Sequence, residues 1–251
     1  MHALVINLPQ ETERLAFQRE QAARFGLTLE VVAAVIVQQI TPPPDDPAWN
    51  RWQRPLRDVE KATLLSHSAA WHRVIDLGEP TLVLEDDAWL MPDAVRIAAS
   101  AAGLSGIDHL SLETRGRKKL LGDLHPQLGA LRRLWLDRTG AAAYLLWPDG
   151  ARKLLARARA VPALADAVLA EARGLRRWQT VPALAIQIDM ATRYGLVPPI
   201  KVASTISSIA RPGRGGLKHR LRRVSSQLRM GCASMRPGTE RIEVFPRVEA
   251  D

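Results

Sequence analysis

The sequence predicts an α/β protein with a mostly parallel central sheet flanked by helices. Three observations point there. The chain opens on an apolar run, an amphipathic stretch and a second β-branched run; hydrophobic residues make up 47% of its 251 positions; and an apolar run in mid-chain closes on three consecutive acids. Parallel neighbours need a crossover between them, and a helix supplies it, so strand–helix–strand is the unit of a parallel sheet. The length suits one α/β domain with a well-buried core, alone or with a short appendage.

Ala3 to Leu8 reads as a buried strand with a polar end at Asn7, closed by Pro9. Glu11 to Phe25 reads as a helix with Leu15, Gln18, Ala22 and Phe25 on one face and Gly26 as its stop. Leu29 to Val37 is the second strand candidate. The Pro-rich stretch from Thr41 to Pro47 is incompatible with helix or inner strand and reads as a loop. Asp58 to Leu77 is helical, with Val59, Ala62, Ser66, Ala70, Trp71 and Val74 near helical spacing and Gly78 at its end. Thr81 to Leu84 is a buried strand, and Asp93 to Ala102 a helix behind Pro92. Further along, Leu110 to Leu112 reads as a short strand and Glu113 to Lys119 as a charged loop. Gly140 to Trp147 reads as a strand, Asp149 to Ala160 as a basic helix and Thr180 to Ile188 as a last strand.

Composition narrows the function. The net charge is +9 and the pI about 10.5, which favours anionic partners: nucleic acid, anionic lipid or phosphorylated small molecules. The single cysteine, Cys232, rules out an intramolecular disulfide and a cysteine-rich zinc site. Met1 to Asn7 lacks the basic and apolar regions of a signal peptide, and the longest apolar run, Val31 to Val37, is too short to span a bilayer. The expected location is cytoplasmic, with any membrane contact peripheral, at the inner face of the plasma membrane. From Arg211 to Arg229 there are seven Lys or Arg and no acid, and Leu217, Leu221, Val224 and Leu228 would share one helical face. That is the pattern of a basic amphipathic segment lying on an anionic membrane; a basic helix packed on the domain, or a loose tail, is the plainer reading. The expected division is a domain over residues 1–210 and a basic tail over 211–251.

The chemistry concentrates at Glu85, Asp86 and Asp87. They follow directly on a hydrophobic strand, and ligands of open α/β sheets gather at the carboxyl ends of strands. No Lys or Arg lies within five residues on either side. Adjacent carboxylates relieve their repulsion by protonation, by a distant basic partner or by a bound cation. Oxygen ligands suit Mg²⁺ or Mn²⁺, commonly shared with substrate phosphates. A solvated acidic turn is the alternative.

At this point the chain resembles glycosyltransferase family 25, the lipooligosaccharide-type galactosyltransferases and their collagen-modifying relatives. The matching pieces are Val5-Ile6-Asn7-Leu8 with Arg14 and the helix to Gly26-Leu27; Leu65-Ser66-His67 with Trp71; Leu82-Val83-Leu84-Glu85-Asp86-Asp87; and Gly140 to Leu146 leading into Gly150 to Leu155. Weaker pieces are Pro162 to Asp166 and Ser204-Thr205-Ile206, so the resemblance spans residues 3 to 206. The sequence departs from the family's usual pattern at Ala62 and Thr63, at Ile36-Val37-Gln38 and at Ala142, which allows a divergent sugar specificity or an inactive relative.

The resemblance implies a GT-A-like nucleotide-sugar transferase fold, a divalent cation (Mn²⁺ or Mg²⁺), a UDP-sugar donor, often UDP-galactose, and a lipopolysaccharide, lipooligosaccharide or other glycan acceptor. Asp87 is the first expected metal contact, with Asp86 second. Glu85 and Asp86 are candidates for the donor's ribose or sugar. Strand alternation argues against all three binding one ion. Asn7 and Leu8 are expected to line the nucleotide pocket, Arg14 to pair with the diphosphate, and His67 to bond the donor or orient a carboxylate. Trp71, on the face of His67, reads as core, and Trp89 as packing or as a stacking platform. An inverting transfer needs a base for the acceptor hydroxyl. Asp166 is the first candidate, Glu113 the second and Asp189 the third. A non-catalytic relative that binds a nucleotide sugar or tethers a partner at the membrane is the alternative. Nucleic-acid binding is expected to be absent, because no recognisable module or aromatic–basic interleaving is present and the acidic cluster would oppose a polyanion.

Overall fold

The computed structural model describes residues 1–137, 140–201 and 216–247, the side chains of residues 229, 230, 233 and 234 excepted. Strands β1 (His2–Asn7), β2 (Thr28–Ala33) and β3 (Thr81–Glu85) alternate with helices α1 (Thr12–Phe25) and α2 (Asp58–Leu77). Then come β4 (Ala88–Leu90), α3 (Ala94–Ala102), β5 (His109–Ser111), β6 (Glu113–Thr114), β7 (Lys118–His125), β8 (Leu128–Leu136) and β9 (Ala143–Leu146). The rest is α4 (Pro148–Ala160), α5 (Ala165–Glu171), β10 (Arg177–Thr180), β11 (Ala185–Gln187), α6 (Leu217–Ser234) and β12 (Glu240–Glu243).

Nine strands form the main sheet in the order β12-β7-β8-β10-β5-β9-β3-β1-β2, and a small sheet has the order β4-β11-β6. β1 runs parallel to β2 and β3, and β10 parallel to β5. The pairs β3–β9, β5–β9, β8–β10, β7–β8 and β7–β12 are antiparallel. The expected α/β sheet flanked by helices is present, but it is mixed rather than mostly parallel. The parallel pairs are those of the strand–helix–strand opening and the β5–β10 pair. β9 enters antiparallel between β3 and β5, and the β7–β8 hairpin extends the sheet beyond it.

Glycine ends both crossover helices. Gly26 (φ 65°) and Gly78 (φ 71°) take the left-handed conformation that other residues avoid, and their amides bond the last carbonyls of α1 and α2. Strand alternation then sorts the core. Leu4, Ile6, Val83, Tyr144 and Leu146 face α2, α4 and α5, where Trp71, Val74, Leu154 and Val168 meet them. Ala3, Leu82, Leu84 and Leu145 face the other way, onto α3 and the small sheet.

Several elements depart from the sequence reading. The second strand stops at Ala33, and Val37–Gln39 is a turn of 3₁₀ helix. Glu113 to Lys119 is not a loop: Glu113–Thr114 pairs with β11, and Lys118 begins β7. The single strand expected from Thr180 to Ile188 is two, with β10 in the main sheet and β11 in the small one. The β7–β8 hairpin escapes a sequence reading because repeated register shifts break the period-two alternation that identifies a strand.

Candidate active site

The acidic triplet sits where the chain leaves the main sheet for the small one. Glu85 closes β3, Asp86 and Asp87 form the turn, and Ala88 opens β4. Successive strand residues point to opposite faces, and the carboxylates separate accordingly. Glu85 has the parity of Val83 and turns toward α2, where its Oε1 lies 3.1 Å from His67 Nε2. Asp86 turns toward α1, where Arg14 Nη1 donates to its Oδ1 at 3.1 Å. Asp87 faces β11, and Gln187 Nε2 donates to both its oxygens, at 3.4 and 3.2 Å. The same amide reaches Glu85 Oε2 at 3.3 Å.

The turn is held from below by two glutamines of α1. Gln18 Nε2 donates to the carbonyls of Asp86 (3.0 Å) and Ala88 (2.7 Å). Gln21 Nε2 donates to the Ala88 carbonyl at 2.9 Å, and its Oε1 accepts from the Leu90 amide at 2.8 Å. These bonds satisfy backbone groups that the jump between sheets would leave buried and unpaired.

His67 is fully buried, and its hydrogen bonds fix its tautomer. Trp71 Nε1 can only donate, and does so to Tyr144 Oη at 2.8 Å. The Tyr144 hydroxyl lies 3.0 Å from His67 Nδ1. An ionised Glu85 can only accept, so Nε2 carries the proton and Nδ1 receives the tyrosine's. The relay from Trp71 through Tyr144 and His67 to Glu85 is then satisfied at every link. Burial pushes the Tyr144 hydroxyl well above the ordinary phenol range. The expected role of His67 in orienting a carboxylate fits this geometry, and Trp71 is core.

Electrostatics mark the site as short of positive charge. Burial, with Glu85 and Asp86 alongside, pushes the Asp87 carboxyl up to about 7. Asp86 is raised by burial too, against the pull of Arg14. Asp166, in the first turn of α5, is pushed to about 6 by desolvation and by the charges of Glu85 and Asp137. Its opposing influences include His67, so Asp166 lies within electrostatic range of His67 and Glu85. Glu113 is 1% exposed, and burial raises it to about 8 even though Lys119 pulls it down. Its Oε1 accepts the Ala142 amide at 3.2 Å, while Oε2 is buried without a hydrogen-bond partner. Lys119, itself buried, donates to the Glu113 carbonyl (2.8 Å) and Gln179 Oε1 (2.6 Å) and pairs with Asp137 at 2.7 Å.

The expected site residues therefore mostly converge. Asn7 ends β1 one residue beyond Ile6, which is in register with Glu85. Its amide bonds the Leu8 carbonyl at 2.7 Å, and its Oδ1 is buried with no hydrogen-bond partner. Leu8 contributes that carbonyl, and its side chain is half-buried. Arg14 is present but committed to Asp86 and, at 3.5 Å, to Glu11. Asp189 is drawn away by Arg115 at 2.8 Å. Trp89 lies in β4 opposite Ile186 and packs on the core. Ser204 to Ile206 and Arg211 to Gly215 lie outside the described residues.

The three carboxylates have different partners: Arg14 of α1 holds Asp86, while Glu85 and Asp87 face a common donor, Gln187. Among the described residues, no group of three or more His, Cys, Asp or Glu side chains is arranged to hold a metal ion. Two carboxylates suit a hard divalent cation that takes its remaining ligands from water and substrate phosphates. Sequence reading misses Gln18, Gln21, Gln187, Lys119 and Tyr144 as contributors to the site. Gln18 falls on the apolar face of its helix, and a glutamine in such a position is the available signal.

A comparison with curated proteins gives no match. Among solved structures, the inositol-1-phosphate CTP transferase from T. maritima aligns with a TM-score of 0.43 and 11% identity, over 75% of this chain and 89% of that one. Mannose-1-phosphate geranyltransferase from Thermus thermophilus aligns with a TM-score of 0.33 and 14% identity, over 70% of this chain and 58% of that one. Likenesses this loose carry no functional inference. The family comparison is more specific: the model of glycosyltransferase family 25 (LPS biosynthesis protein) matches residues 1–119. The match takes in the Asn7, Ser66-His67 and Glu85-Asp86-Asp87 pieces and Glu113, while the Tyr144 and Asp166 pieces lie beyond it. The part of the chain that carries Arg14, His67 and the acidic turn is thus similar to glycosyltransferase family 25, and this match supports a glycosyltransferase.

Proposed function

We propose that this protein is a glycosyltransferase that moves a hexose, galactose in the first instance, from a UDP-sugar to a lipopolysaccharide, lipooligosaccharide or related glycan, with a divalent cation at Asp87. The observation that carries the reading is the convergence of Glu85 and Asp87 on the neutral amide of Gln187, with Asp166 and Glu113 close enough to add their fields. Gln187 offers hydrogen bonds but no charge, and burial with the neighbouring carboxylates holds the Asp87 carboxyl up against it. Mn²⁺ or Mg²⁺ fits this pair, and when bound it would neutralise charge on a departing diphosphate.

The chain's own residues divide the remaining work. His67, fixed in one tautomer, holds Glu85 in place. Arg14 pairs with Asp86, favours its charged form against the effect of burial, and adds positive charge at the turn, on the side where a diphosphate would lie. Asn7 Oδ1 is an acceptor available to a nucleoside hydroxyl or base.

Asp166 is the better base for the acceptor hydroxyl. It is partly accessible, and a carboxyl near 6 is ionised yet still basic at neutral pH. Glu113 is buried and, at about 8, holds its proton at neutral pH. In a direct displacement the acceptor oxygen attacks the anomeric carbon, its proton passes to Asp166, and the nucleoside diphosphate departs with the bonding pair.

The test is turnover across a panel of UDP-sugars with Mn²⁺ or EDTA, for wild type, Asp87→Ala and Asp166→Asn. Activity should need the metal and fall by at least about a hundredfold in either variant, the scale of a lost general base. Full activity in EDTA or in Asp87→Ala would refute the metal role.

A further inference from the structure

Helix α6 is amphipathic, and it packs with its polar side inward. His219 Nδ1 lies 2.9 Å from the Trp52 carbonyl oxygen, Arg222 donates to the same carbonyl at 3.2 Å, and the buried Ser226 hydroxyl lies 3.4 Å from Glu171 Oε1. At about 100° per residue these three positions fall on one side of the helix. Leu217, Leu221, Val224 and Leu228 fall on the opposite side, within a stripe about 60° wide on the same geometry. Their exposures are 71, 63, 52 and 66%. A helix that served only to pack on the domain would bury this stripe and expose the polar one.

The flanks of the stripe are cationic. Lys218 lies to one side and Arg220 and Arg223 to the other, all exposed. The helix carries no acid along Leu217–Ser234. Apolar residues facing out, with long basic side chains at their edges, match a bilayer surface, where the stripe enters the acyl boundary and the cations reach lipid phosphates. No helix of the described residues is long and apolar enough to cross a membrane, so such contact would be peripheral.

We propose that α6 seats the protein on an anionic lipid surface through Leu217, Leu221, Val224 and Leu228, with Lys218, Arg220 and Arg223 bonding phosphate headgroups. This assignment is independent of the donor-site reading, since none of these residues touches the acidic turn.

The full chain should be tested by co-sedimentation with vesicles of phosphatidylcholine alone and of phosphatidylcholine with phosphatidylglycerol, using wild type, Leu221→Glu/Leu228→Glu and Arg220→Glu/Arg223→Glu. These side chains are exposed, so the variants should fold, and circular dichroism and thermal melting check it. Wild type should bind the anionic vesicles at least about tenfold more strongly than the neutral ones, and each double variant should lose about tenfold or more. Sugar transfer to a soluble acceptor should be unchanged in both. Wild-type protein that stays in the supernatant, or variants that bind as well as wild type, would overturn the proposal. So would a wild-type dimer in sedimentation velocity that Leu221→Glu/Leu228→Glu splits without altering vesicle binding; the stripe would then be an interface between copies of this chain.

Discussion

His67 Nε2 lies 3.1 Å from Glu85 Oε1, and this contact joins a fully buried helix residue to the end of the central strand. It gives the acidic turn one fixed member. Glu85 cannot swing away without leaving the imidazole N–H unpaired, and the imidazole cannot rotate without breaking its bond to Tyr144. Asp86 is fixed on the other face by Arg14. Asp87 is thus the carboxylate bound only by a neutral amide among the contacts described, and it is the one to which the proposed function assigns the cation.

The relay behind Glu85 makes a prediction about Tyr144. Tyr144→Phe keeps the ring and removes the hydroxyl, stranding Trp71 Nε1 and His67 Nδ1 in the core. Two buried unpaired groups should cost about 2 kcal/mol or more, which lowers the melting temperature by about 4 to 8 °C in a chain of this size. Transfer should fall as well, because His67 can then change tautomer and release Glu85. Thermal melting and turnover on the same preparation measure both effects.

Arg14→Ala removes the cation beside Asp86, whose side chain is 12% exposed. At neutral pH the stranded charge should cost about 1 to 3 kcal/mol. The loss should be larger at pH 8 than at pH 5, because Asp86 escapes the penalty by taking up a proton. Arg14→Ala/Asp86→Asn should recover part of the stability but not donor binding. Denaturant unfolding at the two pH values, with calorimetry of UDP-sugar binding, reads each part.

Glu113 gives the pH dependence a defined sign. Its carboxyl is raised from the ordinary range to about 8 by burial. The folded state therefore holds a proton that the unfolded state releases near 4.5. The stability this contributes is complete below about 4.5, declines as pH rises and is gone above about 8. Glu113→Gln, which keeps the acceptor for the Ala142 amide, should flatten the fall in melting temperature between pH 5 and 8. An unchanged slope would show that Glu113 does not titrate in that window.

Much of this is legible in the sequence where local pattern and local chemistry agree. The β1–α1–β2 opening has long periodic segments and a glycine stop, and β3 has both an apolar run and the acids that end it. The convergence of Asn7, Arg14, His67 and Asp166 on the turn comes from the family resemblance, since residues so distant in sequence meet only through the sheet order. What stays hidden depends on long-range partners. Gln187 matters because β11 lies antiparallel to β4, a pairing that no local signal encodes. Lys119 reads as a loop charge, yet it is buried because β7 brings it against Glu113, Gln179 and Asp137. The division of the acids between Glu85–Asp87 and Asp86–Arg14 follows from strand parity together with which helix covers each face, and only the first of these can be read from sequence.

The metal role of Asp87 is tested most directly by thermal shift with UDP-galactose, with and without Mn²⁺, on wild type and Asp87→Asn. The substitution replaces a repelled carboxylate by a neutral isostere, so the ligand-free variant should melt at or above the wild-type temperature. Wild type should gain stability from donor and Mn²⁺ together, by more than from either alone, because ligands that bind the folded state raise its stability by mass action. The variant should lose that joint gain. An equal joint shift in Asp87→Asn, or a wild-type donor shift indifferent to Mn²⁺, would contradict a cation at this carboxylate.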